Sequence, residues 1–460
     1  MCRENLVEMV GRQIAFALTK RDSLLRSHHH KAASPDNIAI GVIIGRTAEF
    51  FDFFVYGIAS ILVFPSLVFS FEPDPVRALM YSFLVFSVAF LARPIGSFVF
   101  MAVDRAYGRG VKLTIALFMP GGSTVSMAFL PSYDQAGAVS LWLLIAFRLG
   151  QGFAWGGAWD GLASLLALNA PDGRQGRYAM VPQLGAPLGF ALASVLFGYF
   201  YTILPEEDFL AWGWRYPFFV AFAINVVALF ARLRLVATRE FGELLHKNEL
   251  FAQAMDELIR HHLRDVSIGA FVPLASFALF HLVTIFPLAW ISLVRREQIG
   301  EMLAMQLVGA AVGTVAIVLS GYAADRWGRR RHLLWSAALT ALFSFSATLL
   351  IDTGRIGQYS FLLIGFALMG FSFGQASGSI ANVFSTRFRY SGSAVTSDIA
   401  WLIGAGFAPA VALFLATEFG IAFIGIYLLS GAVCSIAALM IASRVRPISD
   451  DRDPATRKDI

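Results

Sequence analysis

GYAADRWGRRR (residues 321–331) is a short polar turn between two apolar stretches, each long enough to cross a bilayer. It holds one acid, Asp325, and four arginines, Arg326, Arg329, Arg330 and Arg331. So much charge is at home only in water or among headgroups, so the flanking stretches read as two membrane spans joined by a tight loop. A weaker copy, DRAYGRGVK (residues 104–112), follows the second apolar span of the first half. Two copies at equivalent places point to a duplicated membrane protein.

The rest of the chain agrees. Of its 460 residues 57% are hydrophobic, only 15% are charged and 43 are Phe. A soluble domain carries about 25% charged residues. Twelve apolar spans of roughly the required length run over about 38–64, 76–103, 112–131, 138–168, 178–203, 214–233, 267–293, 302–323, 332–351, 357–384, 392–417 and 420–443. Hydrocarbon offers no partner to an open backbone group, so they are expected as helices. Period-2 barrel strands of about 10 residues do not fit such long, evenly apolar runs. The expected fold is all-α and membrane-embedded: twelve transmembrane helices in two six-helix halves.

Residues 1–37 read as a cytoplasmic tail, with a short interfacial helix around Leu6, Val10, Ile14 and Leu18. No cleavable signal is evident, because the first apolar span is too long for one and contains charges. His28, His29 and His30 read as part of a disordered tail rather than a metal tract. The first half then covers 38–233, a charged cytoplasmic linker 234–266, the second half 267–443 and a charged tail 444–460. Two cysteines, Cys2 and Cys434, give no disulfide framework. With both termini cytoplasmic, most Lys and Arg fall on that side. Arg77, Arg215, Arg295, Arg296 and Arg355 face the other way, and Arg46, Arg93 and Arg148 lie within spans. The net charge of +5 is thus a topology signal that suits acidic lipid, with no need of nucleic acid. Glycines four apart, Gly41/Gly45, Gly185/Gly189, Gly309/Gly313 and Gly370/Gly374/Gly378, are expected at close helix contacts.

The turn at 321–331 resembles the loop signature G-x-x-x-D-R-x-G-R-R of the major facilitator superfamily. Further stretches resemble one branch of it, the metabolite:proton symporters, which include proline/betaine, 2-oxoglutarate, citrate and shikimate transporters. They are GRTAEFFDFFVYG (45–57), FLARPIG (90–96), RLGQGFAWGGAWDG (148–161), PQLGAPLG (182–189), WGWRYPF (212–218) and STRFRYSG (385–392). The likeness spans about 38–443, with the motifs in the family's order. There are departures. In a gapless comparison Arg105 takes the first loop's acid position, Asp104 falls one residue early and Met101 replaces the leading glycine. Ala158 takes the place of the family's acid in span 4, with Asp160 two residues on. Asp398 stands where the family usually has Asn, and Arg46 where it has a small neutral residue.

A charge inside a bilayer is costly, so it is paired or faces a wet cavity. Arg46, Glu49, Asp52 and Tyr56 fall on one helical face. Two carboxylates and an arginine competing there make a proton-binding device, or else a salt bridge that only fixes packing. Glu49, Asp52 and Asp398 are the expected proton-coupling groups. Arg46, Tyr56, Arg148 and Gln375 are the expected substrate ligands, arginine for its bidentate grip on carboxylates. Arg148 reads equally as a structural tie to span 1 or span 5. Asp398 reads as a second proton site, a receiver for a cationic part of the substrate, or a satisfied helix-end carboxylate. Asp325, Arg326 and Arg329, with Asp104, Arg109 and Asp160, are the expected gating set. Arg93, just before Pro94, is expected to serve backbone loosened by the proline, and His281 to be hydrogen-bonded in the core. Gln183, Gln306 and Asn382 are candidates to line a polar cavity.

The sequence has no G-x-x-x-x-G-K-[ST] loop and no clustered His/Cys, so neither an ATPase, a cofactor nor a metal is expected. The resemblance implies proton-coupled uptake of a small polar metabolite; the chain is expected in the inner membrane as a monomer embedded in lipid. Three arginines within spans favour an organic carboxylate. An exporter, an uncoupled facilitator and a non-transporting nutrient sensor are the alternatives; an enzyme is not expected.

Overall fold

The computed structural model describes residues 35–158, 166, 170–236, 252, 255–294, 298–381, 384 and 388–445. Twelve helical rods run through them. The first half holds α1 Pro35–Leu62, α2 Pro75–Tyr107, α3 Arg109–Met127, α4 Ala138–Gly157, α5 Gln175–Ile203 and α6 Arg215–Val236. The second half opens with α7, in three pieces: Met255–Phe271, Leu274–Thr284 and Phe286–Val294. Then come α8 Ile299–Trp327, α9 Arg329–Asp352 and α10 Gly354–Phe373, the last continued by a turn at Ala376–Ala381. α11 consists of Arg389–Trp401 and Ala408–Glu418 joined by a wider π turn, and α12 is Phe423–Val445. Nine spans among the described residues are long and apolar enough to cross a membrane by length and composition alone. α1, which carries Arg46, Glu49 and Asp52, is not one of them.

α7 begins at Met255, inside the stretch expected as linker. Its early turns are amphipathic, and Leu258 and Val266 are buried against Phe384 and Phe388. Asp160, Asn382 and the expected interfacial helix near the N-terminus lie outside the described residues.

Each half packs by close backbone approach. A Cβ on Gly152 or Gly156 of α4 would fall onto the α2 backbone, and one on Gly370 of α10 would fall onto the Gly313 carbonyl of α8. Small residues permit such contact where lipid gives helices no hydrophobic drive to associate. The halves meet along α5 with α8 and along α2 with α11. Gly108 and Gly328, at φ 84° and 83°, make the reversals into α3 and α9. Only glycine takes that backbone conformation without strain. These turns mark the basic end of the bundle. Toward the opposite end, residues 50–61 of α1 and 272–289 of α7 are entirely buried. Phe54 stacks on Phe280 there, with ring centroids 5.5 Å apart.

Candidate functional site

A cavity of about 1050 Å³ of empty space, its open mouth included, lies between the halves. Aromatic rings form much of its wall: Phe50, Phe53, Phe90, Trp155, Phe277, Phe373 and Trp401. Phe277 and Trp401 stack at 4.3 Å. Among these rings stand Arg46, Glu49, Arg93, Gln183 and Arg232.

Glu49 is held by two arginines. Arg46, one turn earlier on α1, donates from Nη1 at 2.5 Å, and Arg232 of α6 donates from Nη2 at 2.7 Å. Gly45 makes the second contact possible, since a Cβ there would overlap the Arg232 guanidinium. Arg93 of α2 donates from Nε to Asp398 of α11 at 2.6 Å, across the two halves, and Ser97 lies within hydrogen-bond reach of the same carboxylate. Among the described residues Arg93 therefore pairs with Asp398 rather than with the backbone before Pro94 that its position had implied. Asp398 finds a first-half arginine as partner.

The polar stripe expected on α1 divides. Arg46 and Glu49 face the cavity, whereas Asp52 and Tyr56 are fully buried and lie off its wall. Gln151 donates to Asp52 at 3.1 Å and to Thr124 at 2.7 Å, and accepts from Arg148. Arg148 also donates to the Phe86 carbonyl from Nε and Nη2, at 3.2 and 3.0 Å, and lies 3.9 Å over the Tyr56 ring. Its tie thus runs to span 2 and span 1, and among the described residues no span-5 group bonds it. Asp52 Oδ1 and the Tyr56 hydroxyl have no hydrogen-bond partner among the described residues. His281, expected to be hydrogen-bonded, has neither ring nitrogen bonded among the described residues; it packs between Phe53, Phe86 and Phe280. Gln306 donates to the Val283 and Thr284 carbonyls, away from the cavity.

At the basic end Asp325 accepts from the Gly176 backbone N–H at 2.6 Å and from Arg177 Nε at 2.7 Å, joining α8 to α5. Gln375, expected among substrate ligands, sits in this same layer and donates to the Gly176 carbonyl at 3.0 Å. Arg329 donates to the Gly378 carbonyl at 2.8 Å, and Arg326 is exposed. On the other flank Tyr390 of α11 donates to Asp104 at 3.4 Å and accepts from Lys112 at 2.9 Å, with Arg109 4.6 Å over its ring. Sequence reasoning missed Arg232, Gln151, Arg177, Lys112 and Tyr390. Arg232 falls at the very end of the expected span 214–233, next to Arg234, and was not counted among the arginines within spans. Arg177 had a visible signal, since the pair Arg-Tyr at 177–178 recurs at 389–390.

Two arginines about one carboxylate, beside an aromatic wall, can take a small anion with an apolar body. The ties across the basic end can hold the halves together on that side and release them.

A sequence model of the Major Facilitator Superfamily matches residues 42–397. The inner membrane metabolite transport protein YhjE of Escherichia coli (strain K12) is 33% identical over 422 residues, covering 90% of this chain and 95% of that protein. The shikimate transporter of the same strain is 29% identical, over 87% of this chain and 92% of its own. The fold is similar to a partially occluded inward-open structure of the xylose transporter XylE from E. coli, at TM-score 0.65 and 16% identity, covering 89% of this chain and 99% of that one. The two packed six-helix halves, the paired basic-end loops and these likenesses lead to one conclusion: the chain belongs to the major facilitator superfamily of membrane transporters.

Proposed function

We propose that the protein takes up a small organic carboxylate together with a proton, by alternating access of the halves 38–233 and 267–443 about the cavity. The observation that carries this reading is the cavity's charged layer. Arg46, Arg93 and Arg232 face two resident carboxylates, Glu49 and Asp398, among the described residues. Arginine keeps its charge and grips carboxylates through parallel N–H donors, so this layer suits an anionic ligand. Glu49 is the coupling group within reach of that ligand. Asp52, Tyr56 and Arg148 form a buried support behind it and give a second place for a proton. Arg46 binds the ligand directly, while Gln375 belongs with Asp325 in the basic-end clamp. Asp325, Arg329, Asp104 and Arg109 hold that end shut in one state and release it in the other. Both termini face the cytoplasm of the inner membrane. A relative named a shikimate transporter fits a carboxylate, and one named an inner membrane metabolite transport protein fits the location.

The test is uptake into proteoliposomes of labelled carboxylates, betaines and amino acids, with and without an inward proton gradient. Gradient-driven accumulation of a carboxylate supports the reading. Gradient-independent equilibration identifies a facilitator, and binding with no flux identifies a sensor.

A further inference from the structure

We infer that Arg46 and Arg232 are the carboxylate-binding end of the substrate site, and that Glu49 is a resident carboxylate which a substrate monocarboxylate displaces. The inference rests on the carboxylate reading above and adds the group that the substrate replaces and the atom that takes the proton.

Glu49 is bound as a carboxylate ligand would be. It gives one oxygen to each arginine, Oε2 to Arg46 and Oε1 to Arg232. The two guanidiniums come from different helices, α1 and α6, so the fold and not local sequence brings them together. Solvent reaches the mouth side of the group: the side chains of Arg46 and Glu49 are 23% and 18% exposed, against 3% for Arg232. An entering anion therefore meets Arg46 and Glu49 first. Beside them Phe50, Phe53 and Trp401 offer an apolar surface for the body of the ligand.

Among the described residues few other charges bear on Glu49. On its own helix the facing charge is Arg46, with Asp52 buried one turn further on. From α6 it is Arg232, and from α2 it is Arg93, which acts at longer range and is paired with Asp398 of α11. Among the described residues of α5 the polar group that reaches the cavity is the Gln183 amide, and the α7 histidine, His281, lies deeper against Phe53.

When a second carboxylate shares the two guanidiniums, the two anions repel each other in surroundings of low dielectric. The guanidiniums cannot give up a proton at ordinary pH. The repulsion ends when Glu49 binds one from solution, its O⁻ becoming O–H as the ligand oxygens take over the arginine donors. One proton then enters with each monoanion, and the site gains no net charge.

The test uses the full-length chain in detergent, with thermal shift as readout. The probes are benzoate, pyruvate and shikimate, with benzamide as the neutral control, at pH 6 and pH 8. In the wild type at least one monocarboxylate should bind about tenfold or more tighter at pH 6, as expected when binding takes up one proton. Glu49→Gln should bind it equally at both pH values and no more weakly than the wild type at pH 6. Arg232→Gln should lose binding, and benzamide should do nothing. Should Glu49→Gln prove too unstable to purify, the monocarboxylate and not benzamide should restore its yield. The inference is overturned if Glu49→Gln keeps the wild-type pH dependence, binds more weakly than wild type at pH 6, fails to be rescued, or if no monocarboxylate binds. The broader reading fails separately. Carboxylate binding with the Glu49 pattern but no gradient-driven uptake sinks the transport proposal alone. Gradient-driven uptake of a cation or neutral solute, with no carboxylate bound, sinks this inference and the carboxylate part of the reading, and leaves proton-coupled transport standing.

Discussion

Asp325 of α8 and Arg177 of α5 meet across the two halves at 2.7 Å, and the same carboxylate holds the Gly176 backbone N–H at 2.6 Å. The counterpart on the other flank is the Tyr390 hydroxyl against Asp104, at 3.4 Å. Both helices turn at a glycine, yet Asp104 stands four residues before Gly108 and Asp325 three before Gly328. One residue of offset is about 100° around a helix, so the two acids approach their partners from different sides. The loops are equivalent in place and unequal in grip.

Asp325→Asn keeps an acceptor oxygen for Gly176 and removes the charge that attracts Arg177. The pair is partly open to water, with Arg177 32% and Asp325 10% exposed in their side chains, so it contributes modestly and the population with the basic end open should rise roughly two- to fivefold. Asp104→Asn should shift it less. Labelling of a cysteine placed at Ser377, on the cavity wall, reports both from the basic side. Equal rates in the two variants contradict the asymmetry.

Gly45→Ala should leave the helix intact and disturb the site. The atoms nearest the new methyl all belong to the flexible end of Arg232, which must move away from Glu49. Loss of one charge-assisted hydrogen bond, about 1.5–3 kcal/mol, corresponds to roughly tenfold or more in carboxylate affinity. Gly185→Ala is the contrast. Its methyl meets the backbone of Arg46 and Thr47, which cannot yield, so the melting temperature should fall instead. Unchanged carboxylate affinity in Gly45→Ala would show that Arg232 does not need its place beside α1.

Glu49→Gln should abolish accumulation driven by a proton gradient while sparing counterflow exchange, which moves no net proton. Asp52→Asn should act less directly, through the Gln151 and Arg148 tie behind the cavity wall. Normal concentrative uptake by both variants removes the span-1 carboxylates from coupling.

The fold was legible because hydrocarbon leaves the backbone one choice, and long apolar runs display it. Part of the site was legible for a local reason. Arg46 and Glu49 are three residues apart, and a helix brings such neighbours together whatever surrounds them. Arg232 and Gln375 were not legible in the same way. Arg232 meets a carboxylate 183 positions away, and Gln375 a carbonyl 199 positions away. No periodicity encodes such distances. The division of the α1 stripe was hidden too. Arg46 and Glu49 turn to the cavity because α6 supplies Arg232, while Asp52 turns inward because α4 supplies Gln151.

Asp398→Asn tests the second cross-half tie. Arg93 and Asp398 are 15% and 4% exposed in their side chains, so the pair is largely shielded from water. Removing one partner strands the other charge, and for buried pairs this costs about 3–5 kcal/mol. The solvent reaching Arg93 should bring the cost to the lower part of that range. Arg93→Gln combined with Asp398→Asn should recover most of the loss, because no uncompensated charge then remains. In the single variant, Arg93 lines the cavity with no carboxylate to hold it, and the positive charge available to a ligand rises by one. A dicarboxylate such as succinate should then compete with monocarboxylate binding in Asp398→Asn and not in the wild type. The proton stoichiometry should stay as in the wild type, since Glu49 is untouched. A changed stoichiometry with no gain in dicarboxylate binding would instead make Asp398 a proton site, and its pairing with Arg93 one step of the coupling cycle.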